Sequence, residues 1–276
     1  MDISQLPLLQ LGALAGGVIA SGLIAGLLAG LLGIGGGIIV VPMLFYVFTA
    51  LNVDPHVVMH MAVGTSLATI VPTTFRAAHA HHSHGAVDFS IVRGWGPWIL
   101  VGVVTGTIIA SLVGGRVLMG VFASFALLFA VNMAIGREDW RIGTRLPGPF
   151  LRLPICLLIG TVSTLMGVGA GTLGVTTMTL FGVPIRRAVA TAAALGLIIA
   201  IPGALGFMIS GWDVPDRPPF SLGYVNLVGL LFIMPASVMA VPWGVKLAHS
   251  IGARSLRLVF AAFLVVTSIR MFWDLF

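Results

Sequence analysis

Residues 153–185 read LPICLLIGTVSTLMGVGAGTLGVTTMTLFGVPI, with no Asp, Glu, Lys, Arg or His among them. An α-helix rises 1.5 Å per residue, so ~20 apolar residues cross a ~30 Å hydrocarbon core. The stretch is too long for one crossing and short for two full ones, and Gly167-Val168-Gly169-Ala170-Gly171 stands near its middle. It reads as a hairpin of two short helices whose glycine turn lies at membrane depth. In lipid, an opened helix leaves backbone N–H and C=O groups unsatisfied at a cost of several kcal/mol each. Such a break persists where the freed groups are buried in protein or line a cavity.

Composition places the whole chain in the same solvent. Of 276 residues, 58% are hydrophobic and 8% charged, and the mean hydropathy is +1.12. Soluble domains carry about 25% charged residues, so lipid is the surrounding that resolves the mismatch. The net charge of +6 does not indicate nucleic acid, because the basic residues are scattered between apolar runs and form no stripe. Cys156 is the single cysteine, so no internal disulfide forms. The opening Met-Asp-Ile-Ser-Gln has no basic n-region of a cleaved signal, and the N-terminus is expected to be retained.

The same signature recurs earlier. Residues 3–53 carry no Asp, Glu, Lys or Arg and predict two passes broken near Gly33-Ile34-Gly35-Gly36-Gly37. Single spans fit Val57–Phe75, Gly94–Gly115 and Val117–Gly136, then Ala188–Trp212, Phe220–Val245 and Leu258–Ile269. Leu32-Gly33-Ile34-Gly35-Gly36-Gly37 aligns with Met166-Gly167-Val168-Gly169-Ala170-Gly171, and Ala62-Val63-Gly64-Thr65-Ser66 with Ala188-Val189-Ala190-Thr191-Ala192. Gly85-Ala86-Val87-Asp88 parallels Gly211, Trp212 and Asp213. The recurrence in one order divides the chain into a first transmembrane repeat at 1–136, a basic linker at 137–152 and a second repeat at 153–276.

Loop charges orient the halves. The linker carries Arg137, Arg141, Arg145 and Arg152 against Glu138 and Asp139, which predicts a cytoplasmic loop. If each broken hairpin makes an even number of crossings, Arg186-Arg187 and Lys246–Arg257 fall inside and Asp213–Arg217 outside. Counting the hairpin as one span reverses all three against the positive-inside rule. The fold class is therefore all-α: a polytopic integral membrane protein of two inverted repeats with glycine-broken helical hairpins.

Helix N-termini at a break offer backbone donors and about half a positive charge. Two breaks brought together form an anion site without a buried Lys or Arg. The candidate residues are Gly33, Gly35, Gly36, Gly37, Thr65 and Ser66 from one half, and Gly167, Gly169, Ala170, Gly171, Thr172 and Thr191 from the other. The bland alternatives are glycines that only permit close packing and hydroxyls that bond their own i−4 carbonyls. Ser163, Thr164, Thr69 and Thr176 are further hydroxyls near the breaks, and Asn132 and Asn226 read as interhelical glue. Arg76 and Arg93 either steer anions or anchor the loop between them. His60, at the start of a span, is either interfacial or a proton relay. The tract from His79 to His84 reads as a wet loop, with a metal tract as the lesser alternative. No Asp or Glu lies within a predicted span, which argues against cation cargo. No nucleotide loop, His-Glu-x-x-His or Ser/His/Asp set is present, so neither a cofactor, a metal nor an enzyme is implied.

Gly33-Ile34-Gly35-Gly36-Gly37 with Val41-Pro42-Met43-Leu44, then Ala62-Val63-Gly64-Thr65-Ser66-Leu67, and the echo at Gly167–Gly171, resemble the sulfite exporter TauE/SafE family. The resemblance covers nearly the whole chain, though Ala170 replaces a glycine and Thr176 stands where Pro42 does. It implies a multi-pass permease of the bacterial inner membrane for small sulfur-containing anions such as sulfite or organosulfonates. The expected partners are a small oxyanion and membrane lipid, with no nucleic acid, and a homodimer is left open. A passive anion channel stays as an alternative, and a metal or cation transporter using the histidine tract as a weaker one.

Overall fold

A computed structural model describes residues 16–17, 19–27, 36–83, 85–135, 141–215, 217–248 and 253–275, with backbone only at 80–83, 245–248 and 253–257. Gly33, Gly35 and His84 lie outside the described residues. After a helical stretch at 19–27, the chain forms α1 (Gly37–Ala50), α2 (Val58–Ser83), α3 (Phe89–Leu112) and α4 (Gly115–Ile135). Then follow α5 (Pro149–Leu165), α6 (Leu173–Leu180), α7 (Ile185–Ser210), β1 (Ser221–Leu222), β2 (Val225–Asn226), α8 (Leu227–Ala248) and α9 (Ala253–Trp273). The protein is an all-α multi-pass membrane protein. Among the described residues, five helices (α2, α3, α4, α7 and most of α8) are long and apolar enough to cross a bilayer. Leu112, Val104, Ile108, Leu128, Leu205, Leu231 and Val259 are exposed, as a lipid-facing surface requires.

Three long helices (α2, α3 and α4) follow α1 and three (α7, α8 and α9) follow α6, and α2 and α7 have 26 residues each. They pack on each other in the middle, and α2 is the most buried of the five spans. Around this pair the halves exchange arms. The 149–165 helix packs on α3 of the first half: Gly102 lies against Leu157 and Gly160, Gly106 against Thr161 and Thr164, and the Thr161 hydroxyl donates to the Gly102 carbonyl at 3.0 Å. Residues 19–27 pack on α8 of the second half, Gly22 against Ile233 and Ala236, and Gly244 against Leu27. Small residues allow these close backbone approaches, the usual means of helix association in lipid.

The hairpin read from residues 153–185 is present. α5 has 17 residues and α6 has 8, or about 25 and 12 Å at helical rise. The Ile142 and Gly143 amides donate to the Leu180 carbonyl at 2.8 and 3.3 Å. α6 thus returns to the segment that leads into α5.

Several expectations need correction. The linker ends earlier than 152, because Pro149 takes the first helical position of α5 and Arg152 lies within that helix, where a proline is well placed. The histidine tract is not a loop through its length, since α2 continues to Ser83 and His79 stacks on Phe75. The span expected to start at Phe220 begins at Leu227, because residues 221–226 form an antiparallel hairpin pairing Ser221 with Asn226 and Leu222 with Val225.

Candidate functional site

The glycine turns of the two halves meet against the middle of α2. Gly36 has φ +68 and Gly167 φ +66, the left-handed region that glycine enters freely. Gly36 caps α1, and Gly167 turns the chain out of α5. A Cβ on Gly37 would lie 2.6 Å from the Gly167 carbonyl oxygen and 3.1 Å from the Val168 Cα. One on Gly167 would lie 3.0 Å from the Val63 backbone. The two backbones touch, and only glycine permits it.

Ser66 of α2 binds the junction. Its hydroxyl donates to the Gly167 carbonyl at 2.8 Å, with the Gly37 carbonyl at 3.5 Å. Thr65 and Thr191 make a matched pair beside it. The Thr65 oxygen accepts from the Asn226 amide at 2.9 Å, and the Thr191 oxygen from the Asp88 amide at 3.0 Å. Each amide belongs to the residue ahead of a long helix of the opposite half. Asp88 caps α3 by accepting from the Ser90 and Ile91 amides, and the Asn226 side-chain oxygen accepts from Gly229 at 2.8 Å. Asn226, not Asp213, is therefore the counterpart of Asp88. Arg187 adds an ion pair to Asp88 at 2.9 Å. The Ser90 hydroxyl, together with the Ile91 and Ser90 amides and Arg187, outweighs an opposing desolvation and holds the Asp88 carboxyl below the usual carboxylate range. Ser66, Thr65 and Thr191 thus have protein partners that join the halves.

Beyond Gly167 the turn is buried from Val168 to Thr172. Val168 donates to the Ser163 carbonyl at 2.9 Å. The amides of Gly169, Ala170, Gly171 and Thr172 donate to no described residue, and two of them open the N-terminus of α6. The hydroxyls of Ser163, fully buried, and Thr172, 6% exposed, also have no partner among the described residues. Buried backbone donors are paired in all but a few per cent of cases, so this cluster of free donors is unusual. Around it stand apolar or small groups: Gly169 faces Ile70 and Gly196, and Gly196 faces Thr74. The turn presents hydrogen-bond donors and the positive end of a helix in an apolar setting, which matches a small anion.

Arg76 and Arg93 are exposed, Arg76 two residues beyond Thr74 and Arg93 next to Gly94, which packs by Arg152. Among the described residues no group of His, Cys, Asp and Glu could hold a metal ion. Ser163 was a lesser candidate in the sequence, where nothing separates it from the other hydroxyls near the breaks. Its burial without a partner sets it apart.

The family model of the sulfite exporter TauE/SafE matches residues 18–271. A probable membrane transporter protein of Haemophilus influenzae is 33% identical over 251 residues, covering 91% of this chain and 95% of its own. One from Methanocaldococcus jannaschii is 25% identical over 270 residues, covering 92% and 94%, and one from Bacillus subtilis is 23% identical over 280 residues, covering 93% and 97%. No solved structure matches the chain significantly.

Proposed function

Since this chain belongs to the sulfite exporter TauE/SafE family and is a membrane transporter, we propose that it passes sulfite or an organosulfonate across the bacterial plasma membrane through the junction of its two glycine turns. The observation that carries this reading is the run of amides in the buried stretch Gly169–Thr172 that donate to no described residue, with the Thr172 and Ser163 hydroxyls, which likewise have no partner among the described residues. The cradle consists of Gly169, Ala170, Gly171 and Thr172, faced by the α1 N-terminus at Gly36 and Gly37. Tetrahedral or pyramidal oxyanions accept several hydrogen bonds at once, which suits several converging amides. With no cationic side chain at the turn, binding is loose enough for release. Ser66 fixes the two turns relative to each other, while Thr65 and Thr191 anchor the flanking helices. Arg76 and Arg93 attract anions to the basic, cytoplasmic face.

The two halves run in opposite senses across the bilayer, with residues 137–148 and 246–257 on the cytoplasmic side. The return of α6 to the segment before α5 supports this, because it gives the hairpin an even number of crossings.

The test is flux of labelled sulfite into proteoliposomes holding the purified protein, with and without a pH gradient. Saturable uptake, competed by small organosulfonates, is the expected result. Flux no greater than in empty vesicles rejects the reading. Unsaturable flux would replace the carrier by a channel.

A further inference from the structure

His60, in the first turn of α2, is 4% exposed. Its ring stacks on Tyr224 with centroids 4.9 Å apart, and Tyr224 stands in the two-residue turn of the β1–β2 hairpin. Nε2 lies 2.9 Å from the Ala110 carbonyl and 3.2 Å from the Val113 carbonyl, at the C-terminus of α3. The His56 carbonyl, one turn earlier in the chain, also faces the ring. Nδ1 has no hydrogen-bond partner among the described residues. Every polar atom identified around this imidazole is therefore an acceptor.

A neutral imidazole has one N–H and one bare lone pair. Here the N–H serves the α3 carbonyls from Nε2, which leaves the Nδ1 lone pair buried with no donor to meet it. An imidazolium has two N–H groups, and the acceptors around this ring are the Ala110 and Val113 carbonyls at Nε2 and the His56 carbonyl near the ring; it also sits at a helix C-terminus, where the partial charge favours a cation. Burial works the other way, against charge. A pocket that suits neither form fully is suited to taking up and giving back a proton, and ionisable groups within membrane helices commonly do this.

The position is also informative. Val63, three residues further along α2, backs directly on Gly167, so His60 lies one helical turn from the junction where the anion cradle begins. The Tyr224 turn covers the ring. Its amide donates to the Phe207 carbonyl at 3.1 Å, and a Cβ on Gly64 would lie 2.8 Å from its carbonyl oxygen.

We propose that His60 is a proton-binding site beside the anion route, and that the anion crosses together with the proton held there. The proton adds to the Nδ1 lone pair from water at the end of the molecule that carries Asp54 and Arg116, and leaves the same nitrogen after transport. The titratable and charged groups around the pocket are few. The turn before α2 brings His56 and Asp54, whose carboxylate accepts from the His56 amide at 2.7 Å. Arg116 opens α4 beside Gly115, which packs on His56, and Tyr224 comes from the hairpin. Arg217 stands beyond Tyr224, donating to the Val214 and Trp212 carbonyls, with Asp213 in the same loop. Among the described residues no ion pair involves His60.

The cargo's identity rests on the function proposed above; the proton site does not. The direct test is the imidazole nitrogen spectrum of 15N-histidine-labelled protein, with His60 assigned by its absence in His60→Gln. Protonation of both His60 nitrogens at some point between about pH 5 and 8 is expected. A ring that stays neutral across that range overturns the proposal. The transport test uses the same variant, whose amide can still donate to the Ala110 carbonyl but cannot titrate. Counterflow of sulfite, which in the wild type should change with pH, should become independent of pH in the variant, while accumulation driven by a pH gradient falls to the level seen without one. Wild-type accumulation by His60→Gln refutes coupling through this residue, and His60→Asn serves if glutamine disturbs the packing. If wild-type protein moves no sulfite at all, the cargo reading falls and the nitrogen titration still decides the proton site.

Discussion

The Ser66 hydroxyl and the Gly167 carbonyl oxygen are hydrogen-bonded at 2.8 Å across 101 positions of chain. The bond fastens the α5–α6 turn to the central helix, and the Gly37 carbonyl lies 3.5 Å from the same hydroxyl. Ser66→Ala leaves a buried carbonyl without its donor, which costs about 1–3 kcal/mol. Thermal unfolding in detergent should show that loss together with weaker sulfite binding, because the cradle is no longer held in place. An unchanged melting temperature would mean that the bond does not hold the turn.

Glycine substitutions can separate binding from folding. A Cβ on Gly169 would meet nothing closer than Ile70 at 3.6 Å, whereas Gly36 and Gly167 have positive φ and close backbone neighbours. Gly169→Ala should purify with wild-type stability yet bind sulfite at least ~10-fold more weakly, a loss of ~1.4 kcal/mol. Gly167→Ala should fail at the folding stage, since a left-handed alanine costs about 1–2 kcal/mol before any clash. Valine at 36 cannot discriminate, as it is strained in either case. Calorimetry on Gly169→Ala with unchanged affinity would end the cradle reading.

Thr65 and Thr191 carry the anchoring across the halves. Thr65→Val orphans the Asn226 amide of a residue 5% exposed, so it should destabilise by about 1–3 kcal/mol. Thr191→Val should cost less, because the Asp88 amide is only partly buried. In both variants the folded fraction should bind sulfite with wild-type affinity. A large affinity loss at unchanged stability would move either hydroxyl into the site.

Acid should weaken the α3 cap. The Asp88 carboxyl is held below its ordinary value by Ser90, Ile91 and Arg187, so its contribution is complete above the unfolded value of about 3.9 and disappears as the pH falls through the folded one. Melting temperatures of wild type and Asp88→Asn, followed from neutral pH downward, should differ in slope only in that acid window. Arg187→Ala should change stability by no more than about 1 kcal/mol, since the Arg187 side chain is 58% exposed. Parallel acid profiles would remove Asp88 from the account.

Topology is open to a labelling test. With Cys156→Ser as background, single cysteines in 213–217 should react with an impermeant maleimide on intact cells and those in 246–257 should not. The reverse pattern would contradict the inverted arrangement.

How much the chain reveals before folding follows from its solvent. Lipid makes an unpaired backbone so costly that glycine clusters inside uncharged runs are conspicuous, and the 153–185 hairpin is legible for that reason. The β1–β2 hairpin is not, because its two-residue strands sit in an apolar run that reads as the start of a span. Missing it pairs Asp88 with Asp213 and not with Asn226. Periodicity cannot tell which hydroxyls are already bonded, so Thr65 and Ser66 look the same as Ser163 and Thr172. His60 reads as either interfacial or a proton relay, because its position in a span is visible and the hairpin that covers it is not.

The exchange of arms has a consequence for synthesis. When the ribosome has delivered residues up to the 137–148 segment, α3 presents Gly102 and Gly106 to lipid with no helix to fill them, because that helix begins at Pro149. Likewise, residues 19–27 must wait for α8, encoded more than 200 positions later. Neither half reaches its final packing until the other is inserted, so the nascent first half is an open intermediate that depends on remaining near its successor in the membrane. Two halves made from separate messages, split in that segment, should assemble into one transporter, and either made alone should be cleared by membrane proteases.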